Sequence, residues 1–422
     1  MKQHRQTQGR ECKMRNRYYY GLLAVWVCML FAGTICKAND NTLHIHGFIS
    51  QGYMKSDTNN YLTDSEEGSF QFNEMGLNFL KQATDKLNLG MQFFARDLGP
   101  TDNDAIMVDW AYADYRFRDY LGFRAGRIKN PIGLYHETRD VDMQRTCILL
   151  PEAAYTDNFR DAIMATNGVS VYGDFLSENT GNLSYKLIIG TNNIKNDGGT
   201  VFAAVGSYWD VTDTEIGTTG AGSLWWTDPT NQVKLGGTYG IISEMDLEAV
   251  TNQFAYSGLG LPAGLHSAFK VENILSWIVS AEITTTSFLF AAEYRRLETE
   301  FKGIIKLPSS QPDYIEQDDT RGEGYYALVS HRFSDIFEAG YYYSVIYPNM
   351  DDKDGDNQKE NEKFRAWRKD QALSFRFDMN SNWTFKLEGH YIDGCAAMYN
   401  RLNPDGFHRY WYLFVSKLSY SF

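Results

Sequence analysis

The last twelve residues, WYLFVSKLSYSF from Trp411 to Phe422, alternate in polarity with a period of two. Phe414, Leu418 and Phe422 fall on one face, and the opposite face becomes small and polar near Ser419. This pattern predicts a β-strand with lipid on one side and a wet interior on the other. Chain ends usually fray, so a terminus built into a strand indicates the strand that closes a barrel. The alternative is an edge strand of a soluble sheet.

The N-terminal segment has the pattern of a secretory signal peptide. Residues 1–20 carry six Lys or Arg residues, and the 16 residues 21–36 contain no charge. The small-x-small site Cys36-Lys37-Ala38 follows, which predicts cleavage near Ala38. A helix that spans a bilayer needs about 20 apolar residues, so this segment is short for an anchor. We therefore expect residues 1–38 to be a signal peptide and residues 39–422 to form one outer-membrane β-barrel.

Composition and charge agree with an exported barrel. Aromatic residues reach 15% of the chain, with 28 Tyr and 26 Phe, and barrels need aromatic girdles at both membrane interfaces. Residues 1–38 hold seven of the 40 basic residues and one of the 53 acidic residues, which leaves 33 basic and 52 acidic residues, a net charge of −19. Such a balance argues against nucleic-acid binding. Acidic runs at 64–67, 316–319 and 351–356 indicate solvated loops, or sites for divalent cations between lipopolysaccharides.

The alternating segments predict about 16 antiparallel strands. The eighth is the weakest, a short strand near 221–226, and the next four are expected at 233–244, 273–284, 288–297 and 324–333. With the N-terminus in the periplasm, all short turns fall at one end of the barrel and all long loops at the other, as bacterial barrels require. A β-sandwich of this length would need short loops at both ends and more than nine Pro residues.

The longest connection, 126–161, follows the fifth strand and is the third of the long loops. Arg127 and Lys129 lie at the end of the strand, and apolar residues at 148–151 could anchor the loop. The charged residues of the loop itself are Glu137, Arg139, Asp140, Asp142 and Arg145. We expect the loop to fold into the lumen, narrow the channel and orient charged solutes in a transverse field. The alternative is an external loop whose charges pair with each other.

The predicted facing of the strands collects charged residues in the lumen. Arg96 and Arg116 join Arg127, Lys129 and the charged loop residues as the predicted constriction. Other predicted luminal residues are Arg118, Lys234, Arg295, Arg376, Lys386, Glu74, Asp114, Glu293, Asp370 and Glu388. The excess of basic side chains favours anionic solutes, although some of these residues are expected to form neutralising pairs.

Three segments resemble a known family. They are HGFISQGY (His46–Tyr53), SFQFNEMGLNF (Ser69–Phe79) and GRIKNPIGLY (Gly126–Tyr135), and they are similar to the porin superfamily that includes phosphate-selective porin O/P and dicarboxylate-type porins. The resemblance implies a 16-stranded, usually trimeric, diffusion channel. It does not imply phosphate selectivity, because no repeated ladder of Arg and Lys accompanies it. The C-terminal aromatic resembles the signal that barrel-assembly machinery reads.

Catalytic and cofactor motifs are missing from the sequence. His44, His46, His331 and His390 have no clear Ser–His spacing or G-x-S-x-G motif beside them, and no HExxH, CxxC pair or P-loop occurs. Cys147 and Cys395 follow the signal region, and the sequence leaves open whether they form a disulfide. We therefore expect a passive outer-membrane channel for small hydrophilic, anionic solutes, without catalysis, cofactor or metal. A barrel hydrolase and a plugged structural or adhesive barrel are the alternatives.

Overall fold

The computed structural model describes residues 42–99, 105–205, 208–256, 260–306 and 314–422. Within these ranges a single antiparallel sheet closes on itself. The predicted signal peptide, residues 1–38, lies outside the described residues and remains a prediction.

The barrel has sixteen strands, as the sequence predicts. Seventeen strand segments are present, but Trp209–Ile216 and Thr218–Thr227 form one strand, β8. Ile216 lies opposite Met245 and Thr219 opposite Ile242, so the register runs on unbroken across Gly217. The other strands are β1 (His44–Ser56), β2 (Asn73–Thr84), β3 (Leu87–Asp97), β4 (Met107–Arg118), β5 (Leu121–Lys129), β6 (Ala165–Ser177), β7 (Gly181–Thr191), β9 (Val233–Thr251), β10 (His266–Thr284), β11 (Phe288–Ile305), β12 (Tyr314–Arg332), β13 (Phe337–Tyr347), β14 (Arg368–Asp378), β15 (Trp383–Gly394) and β16 (Tyr410–Ser421).

The C-terminal strand closes the barrel by pairing with β1. The ladder runs from Phe48 opposite Ser421 to Ser56 opposite Leu413. Phe422 continues it, because its backbone N–H donates to the carbonyl of Gly47 and its carbonyl accepts from the N–H of Gly47, both at 3.0 Å. A Cβ on Gly47 would lie 2.6 Å from the Phe422 ring, so the glycine makes room for the terminal aromatic. The closing strand predicted from the sequence is therefore confirmed.

The two ends of the barrel differ in the way that bacterial barrels require. In the described residues the seven turns that follow even-numbered strands contain at most five residues each. The long connections all follow odd-numbered strands, and the longest is residues 130–164, between β5 and β6. Bacterial barrels place short turns in the periplasm and long loops outside, so the end that carries the long connections is the extracellular one.

The outer surface carries an apolar belt. Ile45 and Ile49 are exposed on β1, and Phe414 and Leu418 on β16, while Val415 and Lys417 between the last two are buried inside. A closed barrel with such a belt satisfies every backbone group within lipid. Across the described ranges, none of the helices has both the length and the apolarity that a membrane-spanning helix needs.

Strands β9 to β12 extend well beyond the predicted boundaries. Each contains 18 or 19 residues. At Asn273, which has a φ of +49°, the register between β10 and β11 shifts by one residue. On the neighbouring strand β9, Ile242 and Met245 are three residues apart and line the same cavity, so the inward-facing positions of β9 change from even to odd between them. A strict period of two ends at such an irregularity although the ladder continues, which explains why the sequence pattern ends β9 at 244 and begins β10 at 273.

The helical segments are short and belong to the extracellular connections. Those with defined bounds in the described ranges are α1 (Arg160–Ile163), α2 (Gly199–Val205) and the 3₁₀ turns His136–Thr138, Asp142–Gln144, Met350–Asp352, Glu360–Ala366 and Asn400–Leu402.

Candidate functional site

The connection after β5, called loop 3 here (residues 130–164), folds into the barrel. Its neck is closed at Asn130, whose backbone N–H donates to Met164 at 3.1 Å and whose side-chain amide donates to the carbonyl of Ile163 at 2.8 Å. Pro131 then ends β5, because proline has no N–H for the ladder. The inward-folded third loop predicted from the sequence is confirmed.

The tip of loop 3 is bound to the far wall by Glu388 of β15. Its carboxylate accepts from the backbone N–H groups of Ile148 at 2.7 Å and Leu149 at 2.9 Å. The hydroxyl of Ser374 donates to the same carboxylate at 2.6 Å, and a ring nitrogen of His390 lies 3.1 Å from it. All these groups are buried, so the carboxylate fixes the loop with bonds that do not compete with bulk water.

A second acid, Glu293 of β11, binds the beginning of loop 3. It accepts from the backbone N–H of Leu134 at 2.8 Å and from the hydroxyls of Tyr326 at 2.8 Å and Tyr155. The hydroxyl of Ser280 is its fourth donor, at 2.5 Å. Two buried carboxylates, Glu293 on β11 and Glu388 on β15, therefore hold loop 3 against the wall of the barrel at two places.

The apolar residues predicted to anchor loop 3 do pack. Ile148 and Leu149 join a buried cluster with Trp411 of β16 and Met54 of β1. Leu150 belongs to a second cluster together with Tyr155, Tyr326 and Tyr342. The backbone of the loop also meets the wall directly, because a Cβ on Gly324 would lie 2.4 Å from the carbonyl oxygen of Ala153. Loop 3 is thus packed against the wall along much of its length.

The charges of loop 3 are matched by those of the neighbouring strands. The guanidinium of Arg160 lies 3.0 Å from Asp140 and 3.1 Å from Asp109, and the ammonium of Lys129 lies 3.2 Å and 3.5 Å from the same two carboxylates. Burial raises the pKa of Asp140, but the charges of Arg160, Lys129 and Arg139 outweigh it and hold that pKa below its ordinary range.

Asp142 is the centre of a second charge network. Its carboxylate lies 2.9 Å from the ammonium of Lys417 and 3.3 Å from the guanidinium of Arg145, and it accepts from the hydroxyl of Ser419 at 2.8 Å. Lys386 donates to the backbone carbonyl of Asp142 at 2.7 Å. Burial raises the pKa of Asp142, but Lys417, Lys386 and Arg145 hold it below its ordinary range.

The structure brings eight of the nine predicted constriction residues to loop 3 or its neck. Arg96 and Arg139 both bind Asp157 at 2.9 Å, and Glu137 binds Lys186 at 2.6 Å. Arg127 donates to the backbone carbonyl of Asp109 at 3.0 Å. The remaining members of this group are Lys129, Asp140, Asp142 and Arg145, described above.

Arg116 lies elsewhere. It is near the periplasmic end of β4 and forms an ion pair with Asp174 of β6 at 2.9 Å. The pair is compatible with the predicted luminal facing of β4. Arg116 and Asp109 lie near opposite ends of β4, however, and only the end at Asp109 meets loop 3.

Sequence reasoning missed several partners, namely Asp109, Asp157, Arg160, Lys417, Glu152 and Arg368. Lys417 falls on an inward position of its strand, so the alternation could have indicated it. Asp109 lies one residue out of step with the predicted luminal positions of β4 and turns inward at a shift of register between β3 and β4, which the alternation does not show. Asp157 and Arg160 lie in the irregular part of loop 3, where no period places a side chain. Glu152 and Arg368 form an ion pair that only the folded loop creates.

Arg295 of β11 differs from these paired residues. Among the described residues no carboxylate forms an ion pair with it, and no hydrogen-bond partner is found for its guanidinium. Its side chain lines two adjoining cavities, of about 300 Å³ and about 240 Å³, which share Phe159, Arg295 and Leu297. Both cavities lie between loop 3 and the wall of the barrel, so they are the space that the packed loop leaves open.

The two remaining cysteines do not pair. Cys147 and Cys395 are both buried free thiols. Within the described part of the chain, no group of three or more His, Cys, Asp or Glu residues is arranged to hold a metal ion.

Comparison with known proteins identifies the fold alone. Neither a protein-family model nor a curated protein matches the sequence. Solved structures do match: OmpF of Salmonella typhi in complex with daunomycin (TM-score 0.55, 12% identity, 90% of this chain and 97% of that chain) and the outer-membrane channel DcaP of Acinetobacter baumannii (0.51, 11%, 90% and 97%). A trimer form of the outer-membrane protein OmpT of Vibrio cholerae also matches (0.50, 11%, 90% and 99%). The predicted resemblance is thus confirmed for the architecture, and the assignment to the Gram-negative outer membrane agrees with it: the chain has the fold of outer-membrane porins.

Proposed function

We propose that the protein is a passive diffusion channel for small hydrophilic, anionic solutes. The observation that carries this proposal is the arrangement of loop 3, which narrows the barrel from within and leaves water-sized space along one wall. The porin fold supports a channel role. The unpaired guanidinium of Arg295 beside the open space favours anions over cations.

The eight predicted constriction residues that lie at loop 3 or its neck act in this proposal chiefly by holding the shape of the constriction. Lys129, Asp140 and Asp142 are buried in pairs or larger networks, so their charges largely cancel at a distance. Within the part of the chain that the structure describes, Arg295 has no such partner, which makes it a better candidate for selectivity than Arg127 or Lys129.

Planar-bilayer recording tests the proposal. The purified protein is expected to give stepwise ionic current, and the reversal potential in a salt gradient is expected to show preference for chloride. Arg295→Met should reduce this preference more than Arg127→Ala or Lys129→Ala. A folded barrel without current would contradict the channel and favour the plugged structural barrel.

A hydrolase is the less favoured function. The nearest arrangement of the required groups is Ser374, Glu388, His390 and Asp370, in which His390 lies 3.0 Å from Asp370. The hydroxyl of Ser374 donates to Glu388 instead of His390, so the base that would activate a serine nucleophile is not bonded to it. The cluster binds loop 3 instead.

The predicted partners complete the proposal. A homotrimer is supported by the trimer form of the matching OmpT structure, and the molar mass in detergent tests it. Phe422, paired at the barrel seam, is proposed as the group read by barrel-assembly machinery. The acidic extracellular loops are proposed to meet lipopolysaccharide through divalent cations.

A further inference from the structure

The cavity of about 240 Å³ beside loop 3 has a lining that a purely hydrophilic pathway does not need. Most of its surface is apolar, and it lies between loop 3 and strands β8 to β11. Its main apolar residues are Ile132, Ile163, Ile242, Met245, Ile274 and Phe301. Its described lining residues include no carboxylate, and Arg295 is the one charged side chain among them.

The neighbouring cavity does not supply a partner for Arg295 either. Glu152 and Glu323 line it, but Glu152 is paired with Arg368 and Glu323 with Lys353. A guanidinium beside apolar walls is costly without a counter-charge, and its planar fork matches a carboxylate. Among the described residues, Arg295 is thus left able to pair with an anion that enters from outside.

We propose that this cavity is a binding site for small monocarboxylates with an apolar body, such as benzoate. The carboxylate binds Arg295 and the apolar part lies against Ile242, Met245 and Ile274. An apolar cavity of about 150 Å³ suffices for benzene, so 240 Å³ has room for a ring with one substituent. This inference rests on the proposed function, because it names a solute class for the same channel.

The chain offers a way to fill the cavity without disturbing the barrel. Gly240 lines it, and a Cβ added there would meet no atom within 4 Å. Gly389 on β15 has equally open surroundings but lies on the exposed face of its strand, outside this cavity. Gly240→Leu and Gly389→Leu are therefore a matched pair.

The test records single-channel current in potassium chloride while benzoate is added. Benzoate is expected to interrupt the current at concentrations where acetate, which lacks the ring, and benzyl alcohol, which lacks the charge, do not. Arg295→Met should weaken the benzoate effect about 10- to 100-fold, since a charge-assisted hydrogen bond is lost. Arg295→Lys should retain part of it. Arg321→Met is the charge control, because Arg321 forms an exposed pair with Asp351 and lines neither cavity.

The outcomes separate this inference from the channel itself. Gly240→Leu is expected to abolish the benzoate effect, whereas Gly389→Leu should leave it intact. A current that benzoate affects no more than acetate would overturn the inference and leave the channel standing. If inorganic phosphate or a dicarboxylate interrupted the current as strongly as benzoate, the role proposed for the apolar lining would be overturned. If no current flows, calorimetric titration of the detergent-solubilised protein with benzoate decides, and the absence of Arg295-dependent heat would overturn the inference.

Discussion

Replacing Glu388 by Gln should loosen the tip of loop 3. The carboxylate accepts from the buried N–H groups of Ile148 and Leu149, at 2.7 and 2.9 Å. Glutamine keeps one acceptor oxygen and turns an NH₂ group towards the other donor, so one buried amide loses its partner. That loss costs about 1–3 kcal/mol, or a roughly 5- to 150-fold shift in the opening equilibrium of the tip. Glu388→Ala removes both acceptors and should shift it further.

Hydrogen exchange measured by mass spectrometry is the assay. Peptides that cover residues 146–151 should exchange faster by the same factor in Glu388→Gln, while peptides from β1 and β16 stay protected. Glu272→Gln provides the control, because Glu272 is an exposed member of a surface pair with Lys270. Unchanged exchange at the tip in both Glu388 variants, with the barrel folded, would refute the role assigned to Glu388. Faster exchange in every strand would mean global destabilisation instead.

Three further predictions follow from the loop and the seam. The pKa values of Asp140 and Asp142 lie below the ordinary value of about 3.9, because burial raises them less than the neighbouring cations lower them. The two ionised carboxylates therefore stabilise loop 3 above that pH, and this stabilisation is lost on acidification. Current noise should stay constant from pH 8 to 5 and rise only below about pH 4, and a rise centred near pH 6 would contradict this. Gly47→Ala should lower the folded fraction seen as heat-modifiable migration on gels, since its Cβ would meet Phe422 and the carbonyl of Gly76, whereas Gly389→Ala should not. Burial raises the pKa of Cys147 to about 12, so maleimide should label it at pH 7 only in variants whose loop tip is released; labelling of the parent protein would show that the tip is open.

The strand architecture could be predicted because lipid imposes it. Outward positions must be apolar over the thickness of the membrane, so apolar residues recur at every second position of each strand. This alternation placed Glu293, Arg295, Lys386 and Glu388 inside the barrel, and the structure buries or half-buries all four there. Beyond the membrane the constraint ends, which is why the sequence underestimates β9 to β12 and most of β8.

The charge pairing could not be predicted, because it depends on contacts distant in sequence. Asp142 meets Lys417, and Glu388 meets the backbone of Ile148, although more than two hundred residues separate the members of each pair. Alternation shows which face of the strand a residue lies on. It does not show which residue of the folded loop 3 lies opposite it. For the same reason the sequence could not show that Arg295 has no ion-pair partner among the described residues.

The long strands have a consequence for the surface outside the membrane. At about 3.3 Å per residue, 19 residues extend about 60 Å, roughly twice the hydrocarbon thickness, so β9 to β12 rise above the lipid. There the ring is no longer continuous. Among the described residues the segment Trp209–Ile216 pairs with β9 on one side, while on its other side β7 pairs with β8 only along Thr218–Thr227. A bare strand edge in water invites strands of other molecules. The exposed acids Asp210, Asp213 and Glu215 line this edge. Electrostatic repulsion therefore keeps other strands from the backbone groups that are unpaired in water, whereas within the lipid closure of the ring pairs those groups.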